Sequence, residues 1–119
     1  MSKYEFICYN KCSTCQKAKK YLLEHDIPFT ERDIKTNNPT KEELKQFHSL
    51  SNLPLRKFFN TSGLVYKELK LKEKLPSMNE DEMLDILATN GMLVKRPLLV
   101  SKSKVIIGFD VAGYEKLNK

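Results

Sequence analysis

Cys12 and Cys15 stand three residues apart, where an apolar strand-like run gives way to a basic helical pattern. A CxxC pair in this setting suits thiol–disulfide exchange or metal binding. A cysteine in the first turn of a helix faces unpaired backbone N–H groups and the positive end of the helix dipole, and both favour the thiolate that attacks disulfides. Cys12 is therefore the expected nucleophile, helped by the charge of Lys11 beside it. Cys15, one turn along, is the expected resolving thiol. Cys12 attacks an oxidised substrate, and Cys15 displaces the leaving group to close an internal disulfide. A low-molecular-weight thiol or thioredoxin would then restore the dithiol, with no tightly bound cofactor expected.

The same sulfurs have rival readings. Cys8, Cys12 and Cys15 together spell CxxxCxxC, a spacing that occurs around iron–sulfur clusters. Cys8, however, falls inside a strand on the same face as Phe6, so its sulfur points into a core; it is read as a buried core cysteine. A zinc site would need a fourth ligand from His25 or His48, and neither has a partner at ligand spacing. Both are read as surface histidines, and no metal is expected.

The elements that must hold these sulfurs follow from periodicity. Residues 4–9 (YEFICY) alternate as a strand with Tyr4, Phe6 and Cys8 on one face. Residues 13–25 carry Cys15, Ala18 and Leu22 at helical spacing, and residues 28–34 read as a second strand. A strand, a helix and a strand so close together predict a parallel βαβ unit. Thr40 should cap a helix over residues 40–51, and residues 54–75 read as short helices broken at Gly63. Asn79 should cap another helix to about Asn90, ended by Gly91. Residues 97–101 and 105–108 predict a hairpin, and residues 110–117 a closing helix with Asp110 as its cap. The order βαβ, helices, ββα predicts an α/β protein with a thioredoxin-like mixed sheet.

A chain of 119 residues with 40% hydrophobic content can bury one core, so one domain over residues 1–119 is expected, with a helical insertion over about 36–93. No apolar run reaches membrane-spanning length and no leader pattern precedes the first strand, which points to the cytoplasm. In a reducing compartment three cysteines do not make a structural disulfide framework, and this strengthens the redox reading of CxxC. The net charge is +6, yet Glu68 and Glu73 interleave with the later lysines and no exposed aromatics alternate with them. Nucleic acid is thereby disfavoured; small anionic substrates or acidic partner proteins fit better. No membrane contact is expected, and the chain is expected to be a monomer.

Three segments carry a family resemblance: Tyr9-Asn10-Lys11-Cys12-Ser13-Thr14-Cys15-Gln16-Lys17-Ala18, Leu53-Pro54-Leu55-Arg56-Lys57-Phe58-Phe59-Asn60 and Gly91-Met92-Leu93-Val94-Lys95-Arg96-Pro97-Leu98. Together they resemble the ArsC/Spx family of small thioredoxin-fold proteins, nearer its uncharacterised Firmicute-type reductase branch than either founder. The resemblance implies that Cys12 is the nucleophile, that Arg56 and Arg96 hold an oxyanion, and that Pro97 is a cis-proline beside the reactive sulfur. Arsenate reductases of the family have a third arginine in the final hairpin and usually lack the second cysteine. Here Ile107-Gly108-Phe109 fill that place and no arginine follows Arg96. The expectation is therefore a thiol–disulfide oxidoreductase acting on a small thiol, an oxyanion or a protein disulfide. Arsenate reduction, and a Spx-like redox regulator that binds the RNA polymerase α subunit, are the alternatives.

Overall fold

The computed structural model describes residues 4–61 and 63–118. The first three residues of the expected domain, with Ser62 and Lys119, lie outside them. The aromatic and β-branched run YEFIC forms β1 (Tyr4–Cys8), followed by α1 (Ser13–Glu24) and β2 (Phe29–Asp33). β2 pairs parallel to β1, with Tyr4 opposite Phe29 and Cys8 opposite Asp33. The insertion then contributes α2 (Lys41–Ser51), a 3₁₀ turn (Leu55–Phe58), α3 (Leu64–Glu68), α4 (Leu71–Lys74) and α5 (Glu80–Thr89). The chain returns as a hairpin of β3 (Leu98–Val100) and β4 (Val105–Ile107) and closes with α6 (Val111–Glu115). Sheet order is β2-β1-β3-β4, with β3 antiparallel to both neighbours. This is the thioredoxin-like mixed sheet that the element order predicts.

Alternation along β1 puts a core on each face of the sheet. Tyr4, Phe6 and Cys8 pack with Cys15, Ala18 and Leu22 of α1 and with Tyr114 of α6. Ile7 faces the insertion, among Ile34, Leu44, Phe47, Phe58, Leu87 and Leu93. The insertion is stitched to the approach to β3 by a short bridge between Phe59 and Val94, flanked by hydrogen bonds from Asn60 N to the Leu93 carbonyl and from Lys95 N to the Phe58 carbonyl, both 2.7 Å.

Both predicted N-caps are present, each as a reciprocal capping box. Thr40 Oγ1 accepts from Glu43 N at 3.1 Å while Glu43 Oε1 accepts from Thr40 N at 3.0 Å, and Asn79 with Glu82 repeats the pattern. Two other termini differ from the sequence reading. Asp110 precedes α6, but its side chain makes no capping hydrogen bond; only its carbonyl accepts, from Tyr114 N. Gly91 does not end α5 in a left-handed conformation. It lies so close to Ile34 that a Cβ would overlap the Ile34 carbonyl oxygen, so glycine is required there by proximity.

Arg32 of β2 ties the edge strand to the insertion. Its guanidinium meets the Glu43 carboxylate in a fork, at 2.8 and 2.9 Å, and also donates to the carbonyls of Asn37 and Asn38. The pairing with Arg32, joined by the Thr40 N–H, holds the Glu43 carboxyl down at about 2. A depressed carboxyl stabilises the fold above its ordinary value, and that contribution is lost as pH falls from there towards 2. Arg32→Met should therefore cost about 2 kcal/mol at neutral pH, less than for a fully buried pair because Glu43 is partly solvated. It should also flatten the acid limb of a thermal-melting profile. An unchanged melting temperature at neutral pH would refute the role.

Candidate active site

β1 ends at Cys8, and a turn closed by a hydrogen bond from Cys12 N to the Tyr9 carbonyl (3.0 Å) delivers the chain to α1. Cys12 is the N-cap residue, extended at φ −93° and ψ 123°, and its side chain makes no capping hydrogen bond. Instead it lines a cavity of about 520 Å³, shared with Thr14, Asn60, Lys95, Arg96, Asp110 and the turn Ile107-Gly108-Phe109. The half-buried sulfur is thus open to a ligand on one side and backed by the core on the other.

Cys15 faces the opposite way. Burial leaves it only 2% exposed, among the residues between α1 and the sheet. Its sulfur accepts the Tyr9 N–H at 3.3 Å. The Cys8 thiol, that N–H, the Cys12 thiol and the charge of Arg96 all favour its thiolate, and against the opposing effect of burial they bring it down to about 6. Cys8 moves the other way: its hydrogen bond to Cys15, its burial and the Glu31 carboxylate all hold its proton on. The sequence places thiolate-stabilising contacts at Cys12 because it heads the helix. In the structure they converge on Cys15, while Cys12 lines the cavity and its side chain makes no bond to the helix N–H groups.

The Arg96–Pro97 peptide bond is cis, as the resemblance implies, and Pro97 is buried with its carbonyl accepting from Gly108 N at 2.8 Å. Arg96 lies against Tyr9, its guanidinium carbon 5.3 Å from the ring centroid. Its Nη1 reaches the Met92 carbonyl at 3.5 Å, while its buried Nε has no hydrogen-bond partner among the described residues. Arg96 also lines the cavity, where its charge suits an anion.

The structure does not gather all the predicted site residues in one place. Cys12 and Arg96 share the cavity. Arg56 is exposed on the 3₁₀ turn and lines an adjoining cavity that shares Lys95, Ile107 and Asp110 with the first. Lys11 is exposed in the turn before Cys12. The end of the hairpin, where a third arginine would fall, does line the Cys12 cavity, but with Ile107, Gly108 and Phe109.

Sequence reasoning passed over Lys95, Asn60 and Asp110, whose place in the cavity depends on the insertion folding back onto the hairpin. It also passed over the contact between Cys8 and Glu31, whose Oε2 lies 3.6 Å from the Cys8 sulfur. Glu31 is exposed on the edge strand and comes beside Cys8 only through the parallel pairing of β1 with β2, so its type and spacing carried no sign of the contact. Among the described residues no group of three or more His, Cys, Asp or Glu side chains is arranged to hold a metal ion, and no helix is long and apolar enough to cross a membrane.

Comparison with known proteins follows the same lines. The model of the ArsC family matches residues 8–117. The chain is 52% identical over 111 residues to the uncharacterized protein YusI of Bacillus subtilis, covering 93% of this chain and 94% of that protein. The regulatory protein MgsR of the same organism is 34% identical over 114 residues, covering 96% of this chain and 89% of that protein. Among solved structures, an ArsC family related protein from Bacteroides fragilis is similar with a TM-score of 0.95 and 58% identity, over 97% of each chain.

Proposed function

The chain belongs to the ArsC family, and from that premise we propose that it is a cytoplasmic thiol–disulfide oxidoreductase with Cys12 as nucleophile and Cys15 as resolving thiol. The observation that carries this reading is the opposed setting of the two sulfurs. Cys12 lines an open cavity beside the charge of Arg96, while Cys15 is sealed behind it with its thiolate favoured. The Cys15 thiolate takes the proton of Cys12 as Cys12 attacks the disulfide RSSR, forming the Cys12–SR bond and expelling RS⁻. Once deprotonated again, Cys15 attacks the Cys12 sulfur, forms the Cys12–Cys15 bond and releases the second RS⁻. A low-molecular-weight thiol or thioredoxin supplies the two electrons that reopen it. Arg96, with Lys95 at the rim and Arg56 in the adjoining cavity, favours substrates carrying carboxylates near the disulfide, whether a small thiol or an acidic protein.

The test is disulfide mapping by mass spectrometry. Oxidised protein should contain a Cys12–Cys15 bond, and Cys15→Ser should accumulate a mixed disulfide at Cys12 on exposure to a small disulfide. Oxidised protein without that bond would sink the proposal. Oxyanion reduction is less well supported, because Ile107-Gly108-Phe109 at the end of the hairpin give the cavity no third arginine. A second reading, a redox-sensing regulator acting on the RNA polymerase α subunit, is favoured by the likeness to MgsR. Redox-dependent capture of that subunit, with no turnover of small disulfides, would select it.

A further inference from the structure

The mechanism above leaves Cys8 idle and sets Cys15 a difficulty. Having taken the proton of Cys12, Cys15 must lose it before it can resolve the mixed disulfide, yet it is 2% exposed. Most of its neighbours cannot accept. The Tyr9 N–H and the Arg96 guanidinium only donate, and the Cys12 sulfur is by then bonded to the substrate. The Tyr114 hydroxyl of α6 packs in the same cluster but is buried with no hydrogen-bond partner among the described residues, so it leads nowhere. Cys8 differs. Its thiol meets the Cys15 sulfur on one side and Glu31 Oε2, at 3.6 Å, on the other. Glu31 stands on the edge strand β2 with its side chain 42% exposed, its Oε1 held 2.9 Å from Lys19 Nζ of α1.

We propose that Cys8 is a proton relay between the buried resolving thiol Cys15 and the solvent-facing carboxylate of Glu31. This extends the dithiol reading and rests on it. The Cys15 proton passes to the Cys8 sulfur as the Cys8 proton passes to Glu31, which releases it to water. Cys8 ends as it began, a thiol, and Cys15 becomes the thiolate that displaces RS⁻ from Cys12. No electrons move through Cys8. Lys19 keeps the Glu31 carboxylate aimed at Cys8 through their ion pair.

Dithiobisnitrobenzoate added to the reduced full chain resolves the steps, since it releases one coloured thiolate when Cys12 attacks and a second when Cys15 resolves. In Cys8→Val, which keeps the bulk and removes the donor, the second release should slow about tenfold at pH 7 and climb about tenfold per pH unit towards the ordinary thiol range near 8.5. The first release should also slow, because Cys8 supports the Cys15 thiolate that frees Cys12, but by clearly less than the second. Cys8→Ser, which keeps a group able to accept and donate, should restore the second phase. Glu31→Gln, at a solvent-facing side chain, should slow it as Cys8→Val does. The relay is overturned if Cys8→Val and Glu31→Gln leave the second phase and its pH profile unchanged, if Cys8→Ser behaves as Cys8→Val, or if oxidised wild-type protein contains a Cys8–Cys15 bond. Absence of any second release in the wild type is a separate result, and it removes the dithiol reading itself.

Discussion

Cys12→Ser should lose disulfide reduction by about 10³-fold or more at pH 7 and yet keep a thiolate absorbance that titrates near pH 6. The two properties belong to different sulfurs. Cys12 is the sulfur that lines the cavity, so its removal ends covalent chemistry. Cys15 is the sulfur on which the stabilising contacts converge, and the Cys8 thiol and the Tyr9 N–H survive the substitution. The sign is definite: a depressed thiol is ionised above its midpoint, so ultraviolet absorbance rises as pH is raised through 6 and falls as it is lowered. Wild-type turnover should rise over the same interval, because the Cys15 thiolate is the base that frees Cys12. Cys15→Ser should abolish the absorbance step near 6. If the step vanishes instead with Cys12, the assignment of the resting thiolate is wrong.

Gly91→Ala should destabilise the protein by about 3 kcal/mol, a large effect for one methyl group. Overpacking is usually relieved by side-chain movement, but here the added carbon meets the carbonyl of Ile34 at the end of β2. Relief requires one backbone to shift, and both are pinned. Ile34 N donates to the Cys8 carbonyl, and Gly91 opens the turn whose Leu93 carbonyl accepts from Asn60. Urea unfolding monitored by circular dichroism measures the loss as a lower midpoint at constant slope. A loss under about 1 kcal/mol would mean that this approach is softer than the geometry implies.

What could be read from the sequence was what depends on near neighbours. Thr40 with Glu43 and Asn79 with Glu82 form their caps within one turn, so types and spacing were enough. The βαβ unit around Cys12 and the hairpin after Pro97 were likewise legible from periodicity and turn residues. What escaped depends on contacts between segments far apart in the chain. Gly91 read as a helix terminator because its neighbour Ile34 cannot be found by local pattern. Asp110 read as a cap, and it lines the cavity without a capping bond from its side chain. Cys8 read as inert filling because its partner Glu31 arrives only through the parallel pairing of β1 with β2. The separation of Cys12 and Arg56 into adjoining cavities is set by the bridge between Phe59 and Val94, which no motif announces.

The exposed position of Glu31 on β2 has a consequence for large substrates. A protein docked across the mouth of the cavity shuts water away from Cys12, and in many enclosed sites that would also isolate the buried thiols from bulk pH. Here the carboxylate reaches solvent at the sheet edge, through a side chain that does not line the cavity. The entrance for substrate and the vent for protons are separate, so a bulky partner can plug the first and leave the second open.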